Sequence, residues 1–133
     1  MYTRESMYMR SKVFFAVCLL FGLMFINAGL NKFFNYIPVP PDLPEKMVKQ
    51  SAAFLEIGWL LPLVATVEII GGILFIISKF RPLGAIIIFP VMIGIVMTHI
   101  TVAPSGLPIA LLLLAINLFI IYDNREKYIA MIK

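Results

Sequence analysis

The chain has 133 residues, 62% of them hydrophobic and only 14% charged, with a formal net charge of +4. That length suits one domain, and that composition excludes an ordinary water-soluble one. The basic excess has no interleaved aromatics outside the apolar runs, which excludes nucleic acid as a partner. A single cysteine, Cys18, excludes an intrachain disulfide, a CxxC redox pair and a cysteine zinc site.

The apolar residues fall in long runs, the pattern a bilayer imposes. The first predicted span covers 13–33. Arg4, Arg10 and Lys12 precede it, but the run is longer than a signal-peptide core and no small-x-small site closes it, because Ile26 stands two positions before Ala28. A permanent span is therefore expected. "IPVPPDLP" follows and cannot be regular helix, because proline removes donors and extends its predecessor. Asp42 then reads as an N-cap with Glu45 as its capping-box partner, and Glu45 and Lys49 stand at i, i+4. With Met47, Val48, Ala52 and Leu55 on one side, the segment predicts a short interfacial helix in the first outer loop. Trp59 falls near the outer interface.

The second span is predicted at 57–77, the third at 83–101 and the fourth at 107–122. The last two are short and require little tilt or a thin bilayer. Pro62, Pro90 and Pro108 mark kinks or helix starts, since neighbouring helices can absorb freed carbonyls. Arg4, Arg10, Lys12, Lys79, Arg81, Arg125, Lys127 and Lys133 all fall on one side. The basic-side rule makes that side the cytoplasm. The expected fold is all-α: an integral membrane four-helix bundle, multi-pass in the cell inner (cytoplasmic) membrane, with both termini cytoplasmic and 1–133 forming a single transmembrane domain.

Each span carries polar residues: Asn27 and Asn31 in the first, Glu68 in the second, His99 in the third and Asn117 in the fourth, with Lys32 at the end of the first. Counting ~1.5 Å per residue from the cytoplasmic span ends places Glu68 ~14 Å deep and Lys32 ~28 Å deep. A charge at mid-bilayer costs about 2.5–3.5 kcal/mol even on a lenient scale. Glu68 is therefore expected to be protonated or hydrogen-bonded in a small wet cavity, with Asn27 or Asn117 as donors. Glu56, nearly level with Lys32, is the expected partner of that lysine. Asn27 and Asn31 share a face and are expected to look into the bundle as one wall of an outer mouth. The plainer reading of the asparagines is interhelical glue, of Lys32 snorkelling, and of Gly71 and Gly72 close helix packing.

The pattern "GLNKFF", "EIIGG", a histidine late in the third span and "NLFIIY" in the fourth resembles the DoxX family of small four-helix membrane proteins. The resemblance runs from about Lys12 to Tyr122. Gly29 with Lys32, and Glu68 with Gly71 and Gly72, carry most of it. The family takes its name from a subunit of a thiosulfate:quinone oxidoreductase associated with a terminal oxidase. The resemblance thus implies a fold more firmly than an activity.

Missing residues bound the chemistry. One histidine cannot supply two axial haem ligands, one histidine with one buried acid makes a poor metal site, and no serine or cysteine shares a depth with His99 for nucleophilic catalysis. Catalysis by the chain alone is not expected. The remaining feature is an outward-opening pocket of Asn27, Asn31, Lys32, Glu68, His99 and Asn117. A quinone or other small amphiphile suits it, with the apolar body in the bundle and oxygens meeting amides, imidazole and ammonium. The expected role is an accessory subunit of a larger membrane complex, beside a redox partner and surrounded by lipid. The alternatives are a small proton-coupled transporter using Glu68, against which the lack of inverted repeats argues, and a purely structural or assembly subunit.

Overall fold

The computed structural model describes residues 4–133, so the first three residues of the expected 1–133 domain lie outside the described residues. Helix α1 spans Arg4–Phe34, α2 Glu45–Glu56, α3 Leu60–Ile76, α4 Arg81–Thr101, α5 Leu107–Asp123 and α6 Arg125–Ile132. Among the described residues there is no strand; single 3₁₀ turns at Ser78–Phe80 and Pro104–Gly106 join α3 to α4 and α4 to α5. Among the described residues three stretches are long and apolar enough to cross a membrane: Met9–Phe34, Ser78–Thr101 and Pro104–Asp123. A fourth is reached if α2 and α3, bent by 93° at their break, count as one span.

Local chemistry sets these limits. With no proline before residue 38, α1 runs for 31 residues, about 46 Å. It stops where Asn35 takes a left-handed φ of 51° and donates its N–H to Asn31 O at 2.7 Å. The proline-rich stretch then forbids helix until Glu45. Asp42 does not cap α2: Pro44 is the N-cap, without a side-chain hydrogen bond, and its carbonyl receives the N–H groups of Met47 and Val48. Pro44 takes φ −56° and ψ 143°, the extended entry a capping residue needs, so the helix starts two residues after Asp42 could have served. The second apolar helix starts at Leu60, not at 57, because the chain turns through Ile57–Trp59. Pro82 and Pro108 sit in the first turns of α4 and α5, where a missing N–H costs nothing.

Helix α1 lies along α3, α3 against α4 and α4 against α5. Small residues set the spacing. A Cβ at Gly22 would sit 2.7 Å from Gly72 O, and one at Gly29 2.7 Å from Ala65 O, so α1 and α3 touch backbone to backbone. A Cβ at Gly84 would sit 2.5 Å from Phe75 N and 2.8 Å from Gly71 O, which seats α4 on α3 as closely. Phe21, Phe25, Phe75, Ile88, Met92 and Ile120 fill the interior, with Phe21 stacked on Phe75 at 4.4 Å. Leu20, Ile109 and Leu112 stay largely exposed on the outer surface, as lipid-facing residues do.

Candidate functional site

The glycine contacts fix the stagger of α1 against α3. Gly22 faces Gly72 and Ile76, and Gly29 faces Ala65 and Ile69. In that register Lys32 stands about one turn, roughly 6 Å, from the level of Glu68, rather than the ~14 Å obtained by matching span ends. A lysine spans that gap. Lys32 Nζ donates to Glu68 Oε1 and Oε2, both at 2.9 Å. The expected partners are corrected on both sides: Lys32 pairs with Glu68 and not with Glu56, and Glu68 takes its hydrogen bonds from the ammonium and not from Asn27 or Asn117. The Glu68 side chain is 3% exposed and that of Lys32 27%, so the carboxylate is the deep partner and the ammonium the outer one.

The pair closes one side of an apolar groove of about 710 Å³ between α3 and α4. Val64 and Val67 from α3, and Ile87, Pro90 and Val91 from α4, form its walls, Phe54 from α2 reaches its edge, and His99 stands at its far end. The 93° turn between α2 and α3 is what brings Phe54 there.

The His99 ring is held on two sides. Its Nδ1 lies 2.8 Å from Ile95 O, and since a carbonyl only accepts, Nδ1 carries the proton. A Cβ at Gly106 would sit 2.7 Å from Nε2, so only glycine leaves room for the ring in this orientation. The lysine ammonium has three N–H groups, and two contacts to Glu68 leave a third for another oxygen. The groove thus offers a cationic donor at the Lys32–Glu68 pair, with the His99 ring also in its lining and otherwise mostly apolar walls. Among the described residues no three His, Cys, Asp or Glu side chains gather in the way a metal ion requires.

The three asparagines lie outside this groove. Asn27 is exposed, and its carbonyl and side-chain oxygens both accept the Tyr36 hydroxyl. Asn31 Oδ1 accepts the Ile37 N–H at 2.8 Å. Rather than looking into the bundle, the two clamp the chain that leaves α1 back onto its last turns. Asn117 is fully buried elsewhere; its Nδ2 donates to Ala85 O at 3.1 Å, and its Oδ1 has no partner among the described residues. It ties α5 to α4.

Three residues take places that the sequence reading did not give them. Arg81 is only 6% exposed, donating from Nε to Phe75 O at 2.8 Å and from Nη2 to Ile76 O at 3.1 Å. It caps the orphan carbonyls at the end of α3 and lies 5.3 Å over the Phe14 ring, so it is more than a topology-setting charge. Pro90 deprives the Ile86 carbonyl of its helical N–H, and both residues line the groove. Gly94 also lines it, and a Cβ there would meet nothing within 4 Å. No polar side chain marks these last two positions, so polarity alone could not find them.

The DoxX family model matches residues 14–101. That range takes in α1 from Phe14 through the end of α4, with Lys32, Glu68 and His99; α5, α6 and Asn117 follow it. No curated protein and no solved structure matches the chain.

Proposed function

The chain belongs to the DoxX family, and from that membership and the groove beside Lys32 and Glu68 we propose that it binds a quinone or another small amphiphile as an accessory membrane subunit beside a redox partner. The observation that carries the reading is the pair of half-buried Lys32 with buried Glu68 on the wall of a groove whose other lining is almost wholly apolar. A volume of about 710 Å³ falls in the range of small-molecule pockets. The residues suit a flat molecule with a polar end: the third N–H of Lys32 for a carbonyl oxygen, the His99 ring beside it in the lining, and valine, isoleucine and proline walls for the ring and tail. A bound quinone would supply two-electron, two-proton redox chemistry. The chain's part is to bind and orient it, exclude water with the apolar walls, and hold charge at Lys32 and Glu68.

In this reading the protein lies in the cell inner membrane with both termini cytoplasmic, so that the groove opens toward the outer face. Helix α2 lies in the interface with Phe54 at the groove's edge. The ligand pocket is then Lys32, Glu68 and His99. Asn27, Asn31 and Asn117 of the six residues singled out from sequence act as supports.

Gly94→Leu is the direct test, because the new side chain enters the groove from a position with open space around it. It should not weaken the helix, since leucine is about 0.8–1 kcal/mol better than glycine in a helix interior. Protein purified in mild detergent is analysed by mass spectrometry for retained small molecules. The reading expects a stoichiometric amphiphile in the wild type, lost in Gly94→Leu and depleted in Lys32→Met. An empty wild-type protein, or equal retention in all three, overturns it in favour of a purely structural or assembly subunit.

A further inference from the structure

One backbone carbonyl beside the groove lacks the partner that its helix would give it. Pro90 stands inside α4 and carries no N–H, so the Ile86 carbonyl, four residues earlier, loses its helical hydrogen bond. Pro82 and Pro108 free no such group within a helix, because both stand in first turns. The side chains that donate to carbonyls of α4 go to other residues: Tyr128 to Pro82 O, Asn117 to Ala85 O and Thr98 to Gly94 O. Among the described residues no side chain donates to Ile86 O. Ile86 and Pro90, at i and i+4, share a face of α4, and both line the groove. A carbonyl without a partner in hydrocarbon is costly, so this position calls for a donor from outside the helix.

The packing of α3 on α4 sets that carbonyl against the ion pair. A Cβ at Gly71 would sit 2.6 Å from Ile88 Cγ1, and one at Gly84 2.5 Å from Phe75 N. These contacts run antiparallel, and in their register Glu68 comes level with Val91. A helical carbonyl points along the axis toward the residue four ahead. The Ile86 oxygen therefore lies about one turn, roughly 5 Å, from the level of Glu68, on the side of the α3–α4 turn. Lys32 Nζ, 2.9 Å from both Glu68 oxygens, keeps its third N–H. The lining thus holds an ammonium donor and, about a turn deeper, a carbonyl acceptor.

We propose that the groove selects a ligand with a hydroxyl at its deep end, and so takes the reduced quinol in preference to the quinone. This rests on the reading of the groove given above and names the form of ligand it holds. One ring oxygen accepts from Lys32, and the hydroxyl on the opposite side of the ring donates to Ile86 O. A quinone has acceptors only, so its deep carbonyl would oppose the Ile86 carbonyl and leave both unpaired. Pro90 is then a specificity-determining residue that acts through the carbonyl it frees.

The probes are a benzoquinone bearing one isoprenoid unit, its two-electron reduced hydroquinone kept under nitrogen, and the dimethyl ether of that hydroquinone. Each is titrated by calorimetry into the full chain in lipid nanodiscs, with empty nanodiscs subtracted. Wild type should bind the hydroquinone about tenfold more tightly than the quinone, the worth of one hydrogen bond made by one form and lost by the other. The dimethyl ether keeps both oxygens and has no O–H, so it should lose that advantage. Pro90→Ala returns an N–H to Ile86 O, and the ratio of hydroquinone to quinone affinity should fall to about one. Equal affinities for the two forms in wild type, an ether that binds as tightly as the hydroquinone, or a preference that survives in Pro90→Ala would each overturn this proposal and leave the groove reading standing. Binding of none of the three would overturn the groove reading and this proposal with it.

Discussion

If the Lys32–Glu68 pair is as deep and as asymmetric as its exposure indicates, its two halves should respond unequally to removal. Lys32→Met leaves a carboxylate that is 3% exposed without its cation. Breaking a buried pair in this way costs about 3–5 kcal/mol. Glu68→Gln leaves an ammonium that is 27% exposed, which can turn toward the mouth and can still donate to the glutamine oxygen. The loss there is one charge-assisted hydrogen bond, about 1.5–3 kcal/mol, at the lower end because an amide acceptor remains. The double variant removes both charges at once and should cost less than Lys32→Met alone, giving an interaction energy of about 2–3 kcal/mol. Glu56→Gln serves as the control and should be silent. The measurement is reversible unfolding in mixed detergent micelles, followed by far-ultraviolet circular dichroism, for the four members of the cycle. Additivity within about 0.5 kcal/mol would refute the argument, because it would mean that the two groups do not sense one another in the folded protein.

Gly84→Ala places a methyl 2.5 Å from one backbone atom and 2.8 Å from another, neither of which can rotate away, so α4 must separate from α3. A loss of about 1–3 kcal/mol or more is expected in the same unfolding assay, against no loss for Gly94→Ala, whose methyl meets nothing. Arg81→Gln should cost about 2–3 kcal/mol by uncapping α3, and Arg81→Lys should not restore wild-type stability, because a single ammonium cannot reproduce the forked contacts to two carbonyls; equal stability of Arg81→Lys and wild type would contradict the capping role. The Tyr128 hydroxyl donates to Pro82 O at 2.6 Å, and burial raises its pKa above the ordinary value of 10.0. The folded protein thus holds this proton more tightly than the unfolded chain, so the docking of α6 is fully present below a pH of about 10 and weakens as pH rises through the higher folded value. Hydrogen exchange of α6 should speed up over that range in wild type, and Tyr128→Phe should already exchange fast at neutral pH and show no such step. For topology, Arg4→Cys and Lys133→Cys in a Cys18→Ala background should react in intact cells only with membrane-permeant thiol reagents, and labelling of either by an impermeant reagent would reverse the orientation.

The all-helical class and the limits of the apolar helices were legible in the amino-acid order, because they are local. Backbone groups in hydrocarbon must bond within their own segment, so an apolar run of span length has one structure open to it, and prolines and charges mark where it ends. Pro108 and the proline-rich loop did so here to within a few residues. The polar residues were equally plain as a set, and Glu68 and His99 do reach a common groove with Lys32.

How those residues combine is a matter of stagger and rotation between helices, and neither is written locally. The pairing of Lys32 with Glu68 depends on α1 sliding along α3 by more than a turn from the position that equal span ends would give. Gly22, Gly29, Ala65 and Gly72 decide that slide by letting two backbones touch. The same glycines are present in the sequence, but which small residue faces which is a long-range fact. Rotation decided the asparagines. One turn apart on α1, Asn27 and Asn31 share a face as expected, yet that face meets Tyr36 and the backbone of Ile37 and not the interior. Arg81, one residue after the turn joining α3 and α4, reads as a surface charge until the early end of α3 leaves carbonyls for it to cap. Segment chemistry therefore determined which parts of this chain are helices and which of them suit a membrane. Close contact between helices determined which of its few charges meet.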